Sequence, residues 1–123
     1  MKRTIGSTAA TAALVATLVL GGCGGGEQYG EPPAGRDATP VAEVVADPTA
    51  FEGRDITVRG TIERECHTGC WFDLQGETAI IHVDLSPHGL AIPQHVNRTA
   101  TVDGVVALRD GRAIVHAEGV TIQ

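Results

Sequence analysis

Five residues constrain this chain more than any others: Cys66-His67-Thr68-Gly69-Cys70. His67-Thr68-Gly69 has the form of a three-residue hairpin loop whose last position, the one that needs a positive φ, is glycine. The residues before it alternate with the period of a strand. Ile56, Val58 and Ile62 fall on one face, and Thr57, Arg59, Thr61, Glu63 and Glu65 fall on the other. The loop predicts Cys66 and Cys70 as cross-strand partners, with Ile62, Cys66, Cys70, Phe72 and Leu74 turned inward. The same register sets Glu63 opposite Asp73 and Glu65 opposite Trp71. Gly60 interrupts the apolar face, as expected where a strand bends or bulges to curl a small barrel.

The rest of the chain supplies partners for this hairpin. Gln75-Gly76 predicts a tight turn, followed by Ala79, Ile81, Val83 and Leu85 alternating with Thr78, Ile80, His82 and Asp84. Pairing Leu74 with Glu77 would bring His82 near Gly69. Ser86 to Asn97 holds Pro87, Gly89 and Pro93, too broken for a long helix, yet Leu90, Ile92 and Val96 can plug a barrel end. Thr99 to Leu108 and Arg112 to Ala117 form two more strands around Asp110-Gly111, a strong hairpin signal. Gly119 to Ile122 extends the sheet. In front of the first strand, Thr39 and Pro40 suit the cap and first position of a short helix presenting Val41, Val44 and Val45 on one face. About five short strands, a leading helix and a connector between strands three and four match the order of an OB-fold, a small, mostly β, five-stranded barrel. A small sandwich is the alternative.

The barrel domain spans 41–123, and what precedes it has a different composition. Met1-Lys2-Arg3 is a basic start, and Thr4 to Leu20 is an apolar and small-residue run without an acidic residue. The run closes in Leu20-Gly21-Gly22-Cys23, which resembles the lipobox of bacterial lipoproteins. The resemblance implies a signal peptide over 1–22 and lipidation of Cys23 by diacylglycerol and a third acyl chain, palmitate or its like. Two or more acyl chains anchor a protein stably to a membrane. In enterobacterial lipoproteins an Asp in second place retains the protein in the inner membrane, so Gly24 favours the outer one. Gly24 to Pro40, rich in Gly, Pro and Glu, is expected to complete a flexible linker over 23–40, with a reach of roughly 20–25 Å.

Beyond residue 22 the chain carries seven arginines, no lysine and fifteen acidic residues, a formal charge of −8. Nucleic-acid binding rests on cations that neutralise phosphates, so an acidic module of the cell envelope is a poor candidate for it. The expected location is the periplasmic side of a membrane.

The order Glu52 to Ile62, then Cys66 with Gly69-Cys70-Trp71-Phe72, then Val83-Asp84-Leu85, Ile92-Pro93 and Thr101 to Val106 resembles a group of bacterial OB-fold domains of uncharacterised function. Those domains are secreted or lipid-anchored, and a cysteine followed by Gly-Cys-Trp is their most specific mark. The resemblance implies a fold and a compartment and no known reaction.

The tip leaves three readings open. An oxidising compartment and a position across a hairpin suit a Cys66–Cys70 disulfide. Two thiolates with His67 or His82 would suit Cu(I) or Zn. A redox-active pair is the third, although no Cys-x-x-Cys in a βαβ setting is present. No cofactor is expected under the first. Trp71, His67 and Phe72 are the expected contacts for a protein or small ligand, since aromatic residues beside a loop anchor partners. His88, His95 and His116 are expected as ordinary surface or half-buried histidines. Ser86 lacks a nucleophile-elbow pattern, and no matched carboxylate pair or Gly-rich phosphate loop is present, so the expectation is a binding module without catalysis.

Overall fold

The computed structural model describes residues 26–123. The expected signal segment and Cys23 lie outside them. The elements are β1 (Glu27–Gly30), α1 (Val41–Ala46), α2 (Pro48–Phe51), β2 (Asp55–Glu65), β3 (Trp71–Gln75), β4 (Ile80–Asp84), a 3-10 turn (Ser86–His88), β5 (Thr99–Arg109) and β6 (Arg112–Ile122). Five strands close on themselves in the order β2-β3-β4-β6-β5 and back to β2, with β1 added along β6. Strands β4 and β6 run parallel, and every other pair is antiparallel. This is the connectivity of an OB-fold, as expected. Closure pairs strands that would otherwise present open edges. Among the described residues no helix is long and apolar enough to cross a membrane.

The period-two pattern fills the barrel. Val58, Ile62, Phe72, Leu74, Val83 and Val102 are all fully buried. Phe72 is the largest of these side chains, so one phenyl ring carries much of the core volume. Val41 and Val44 of α1 join that core while Val45 is 39 % exposed, because the helix lies against the barrel on one stripe only. Thr39 does not cap α1: its N–H goes to the Thr57 carbonyl, and Pro40 occupies the cap position without a side-chain bond. Of the three residues expected to plug the barrel, Ile92 is buried and Leu90 packs on the core, but Val96 is 45 % exposed.

Two registers differ from expectation. Ile62 pairs with Leu74 as expected, but a bulge at Glu63 then sets Arg64 opposite Asp73 and Glu65 opposite Phe72. The extra residue exchanges a like-charge Glu63/Asp73 pair for an opposite-charge one. Gly60, where the pattern predicts a bend or bulge, stays in ladder; a Cβ there would strike the Gln75 carbonyl oxygen. On the next strand pair Leu74 faces Ile81, not Glu77, because a longer turn closes with Gly76 N–H on the Ala79 carbonyl. That slip of four residues keeps the apolar faces together, and it sets His82 opposite Asp73 instead of Gly69.

The linker expected over 23–40 is structured from Glu27. Its residues 27–30 form β1, paired to 119–122, and the Ala34 N–H donates to Asp103 at 3.0 Å. On the edge away from β5, β4 covers only 114–116 of β6, so residues 119–122 offer this segment a ladder, and ladder bonds need no apolar residues. Tyr29 packs against the core margin, and its hydroxyl donates to Glu27. His95, expected at the surface or half-buried, is buried at 8 % exposure: its Nε2 lies 2.8 Å from Glu27 Oε2, and its Nδ1 bonds the Pro93 carbonyl.

Candidate functional site

The bulge and the slip together build a polar cluster on the outer surface of β2, β3 and β4. Asp73, at its centre, is 9 % exposed. Arg64 Nε and Nη2 donate to Asp73 Oδ2 at 3.1 and 2.8 Å, and His82 Nδ1 lies 2.8 Å from Oδ1. The carboxylate thereby fixes the imidazole with Nε2 turned away from Asp73. Trp71 lies beside this group, its ring centroid 5.2 Å from that of His82 at 37° and 5.9 Å from the Arg64 guanidinium. The indole is half-buried against its neighbours.

A second arginine–carboxylate pair adjoins the first. Arg109 Nη2 donates to Asp84 Oδ2 at 3.0 Å, while the N–H and hydroxyl of Ser86 donate to Oδ1 at 3.1 and 3.0 Å. Burial alone would raise the Asp84 carboxyl, but the Ser86 donors and Arg109 outweigh it and hold it below the usual aspartate range. A lowered folded-state pKa means the unfolded chain binds the proton more readily. The stabilisation is therefore complete above the ordinary aspartate value of about 4 and is lost as pH falls through the lower folded value. Asp84→Asn should show a shallower loss of stability than wild type between neutral and strongly acidic pH in urea titrations followed by circular dichroism; parallel curves would contradict this.

Between these pairs and the β5–β6 hairpin runs an open cleft of about 910 Å³. Arg64, Asp73, His82, Arg109, Asp110 and Arg112 make up its polar lining, and Val45, Pro48, Ile80 and Ile114 most of its apolar lining. Ile80 is 47 % exposed although it is a large apolar residue on a strand. Asp110 and Gly111, at φ 51° and 77°, make the tight turn that sets Arg109 directly across from Arg112.

The cysteine tip is placed differently from expectation. Cys66 and Cys70 lie at disulfide distance, with Cα atoms 5.6 Å apart, inside the span disulfides use. The hairpin is docked, however: Ile92 N–H bonds the Gly69 carbonyl and Leu85 N–H bonds the Cys70 carbonyl. Phe72 is fully buried and cannot touch a partner, which corrects its expected contact role. His67 is exposed in the loop. His82, the other expected metal ligand, is engaged by Asp73 and Trp71, since the slipped register carries it along the strand from the tip. Among the described residues no three His, Cys, Asp or Glu side chains group as a metal site. The cleft itself was missed in sequence, because Arg64, Ile80, Arg109 and Arg112 meet only through the barrel. Asp110-Gly111 flanked by two arginines was the one local signal.

The site and topology define a small OB-type barrel with an arginine-bearing, amphipathic cleft. No family model and no curated protein matches the chain. Among solved structures it is similar to that of the hypothetical protein ygiW from E. coli, with a TM-score of 0.54 at 14 % identity, covering 72 % of this chain and 91 % of that one. At that identity the likeness establishes the fold.

Proposed function

We propose that this chain is a lipid-anchored, extracytoplasmic binding module of the bacterial envelope without catalytic chemistry. Its contact surface is the outer face of β2, β3 and β4 between Trp71 and the Arg109–Arg112 hairpin. The observation that carries it is the cleft. In barrels of this topology the middle-strand face, flanked by the loops after the first and fourth strands, is the usual ligand surface. Here that face holds the exposed Ile80, the stacked Trp71 and three arginines of an otherwise acidic chain. Cys66 and Cys70 close as a disulfide in the oxidising compartment and brace the end of β2 and β3. Reduction of a loop this short should lower the unfolding free energy by about 2 kcal/mol. The lipobox ending at Cys23 supports the anchor, and Cys23→Ser should release the protein from the membrane fraction.

A photo-crosslinking residue placed at Ile80, in cells, tests the contact surface. The expected result is a discrete adduct from position 80 that is absent from the same probe at Glu52, which is exposed at the C-terminal cap of α2 and does not line the cleft. Identical adducts from both positions, or none from position 80, would remove the cleft from the proposal.

A further inference from the structure

The chemistry of the cleft narrows what it takes, on the reading that this face binds a ligand at all. Its polar residues are layered. Two carboxylates lie down on the sheet, with Asp73 and Asp84 side chains 12 % and 15 % exposed, and their guanidinium partners are far more exposed, Arg64 at 72 % and Arg109 at 53 %. Asp110, exposed in the hairpin turn, adds a third carboxylate, so acid and base balance at three each, and the exposed layer presents three guanidiniums against that one carboxylate. Each carboxylate also holds its arginine in place beforehand, which reduces the entropy lost when a ligand binds. Arg109 spends one N–H group on Asp84, and Arg64 spends Nε and Nη2 on Asp73, so both keep donors free.

Arg112 supplies the second observation. It has no ion-pair partner among the described residues, and it sits directly across the ladder from Arg109. Like charges directly opposite on a strand pair are destabilising. A paired arginine fork at a tight turn is relieved by an anion placed between the two guanidiniums, and guanidinium forks match the geometry of carboxylate and phosphate. The same cleft has an apolar lining, with Val45 and Ile80 exposed and Ile114 largely buried in the barrel wall. At long range the net negative charge of the chain repels polyanions and strongly anionic surfaces; within a Debye length, about 8–10 Å, the local arginines dominate. That combination selects against a large polyanion and for a small one.

We propose that the cleft binds a small amphipathic anion, its carboxylate or phosphate group held between Arg109 and Arg112 with help from Arg64, and its apolar body laid on Val45, Ile80 and Ile114.

Trp71, the only tryptophan in the chain, packs at a tilt against His82, which lines the cleft, and reports occupancy by its fluorescence. The full chain is titrated at low salt with octanoate, octyl phosphate, inorganic phosphate and the uncharged octyl glucoside, the amphiphiles kept below micelle-forming concentrations. Saturable changes with octanoate or octyl phosphate, weaker with inorganic phosphate and absent with the glucoside, are the expected result. Preference between the two octyl probes tells carboxylate from phosphate. Arg112→Ala, at an exposed position, should weaken binding about fivefold or more, and Ile80→Ser should weaken the octyl probes while sparing inorganic phosphate. Equal binding of octyl glucoside, or unchanged affinity in Arg112→Ala, overturns the anion assignment and leaves the cleft as an apolar contact. If no probe binds, the anion assignment fails as well; the crosslinking result from position 80 then decides separately whether the face binds anything.

Discussion

Phe72→Ala should lower the unfolding free energy by about 3–5 kcal/mol, the range for truncating a fully buried phenylalanine. Trp71→Ala, one position earlier, should cost only about 1–2 kcal/mol, since the indole is partly open to solvent and packs on side chains rather than in the core. Phe72 is wholly enclosed among Ile62, Leu74, Val83 and their neighbours, and truncation leaves a void that the closed sheet cannot collapse around. Trp71 lies on the outer face against His82 and Arg64, both of which are themselves accessible. Urea denaturation followed by circular dichroism measures both variants without relying on the tryptophan signal. Equal losses would mean that the strand's faces are assigned wrongly, and with them the position of Asp73 and the cleft. The contrast also separates folding from recognition: a Trp71 variant remains folded and can be tested for binding, whereas a Phe72 variant reports on the core alone.

The alternation that predicts the inner face of β2 and β3 is legible because burial acts on every second residue, and neither a one-residue bulge nor a four-residue slip hides it. Ile62, Phe72, Leu74, Ile81 and Val83 are core residues in the structure as in the pattern. Register along the strand is a weaker signal. Glu63 bulges because the alternative leaves Asp73 across from another carboxylate, an energetic preference visible only once both strands are laid side by side. The turn after Gln75 could be shortened on paper because Gly76 and a glutamine suit a tight turn, whereas the chain uses two more residues and moves His82 beside Asp73. The cleft depends on both of those shifts. It was therefore illegible even where each of its residues was conspicuous. Residues 27–30 show the converse limit, since a segment poor in apolar residues can still be held by ladder bonds when a strand such as β6 runs past one neighbour, here β4.

Gly69→Ala is the second change expected to have a large effect, and it tests what the cysteine tip is for. Gly69 has φ +75°, where an L side chain costs about 1–2 kcal/mol. A Cβ built there would also run into the Ile92 carbonyl oxygen and come within 2.8 Å of its nitrogen, so the connector as well as the loop must move. Overpacking of that kind adds about 1–3 kcal/mol, for a total of about 2–5 kcal/mol. Gly111→Ala is the control: φ is +77°, yet nothing lies within 4 Å of the added methyl group, so only the backbone cost of about 1–2 kcal/mol should appear. A difference between the two variants in urea titrations measures the docking of the tip on Ile92. A clear excess at Gly69 identifies the hairpin as a brace that fixes the end of β2 and β3, and with it Trp71 at the margin of the cleft. Equal losses would mean that the tip stands free of the connector, and its exposed His67 would then return as a contact residue in its own right. The brace is consistent with the tip's other bonds, Leu85 N–H to the Cys70 carbonyl and Cys66 N–H to the Trp71 carbonyl, which tie the loop to both strands and to the connector. Rigidity at this end places the variable chemistry at the other margin, where Arg109 and Arg112 stand exposed across a two-residue turn.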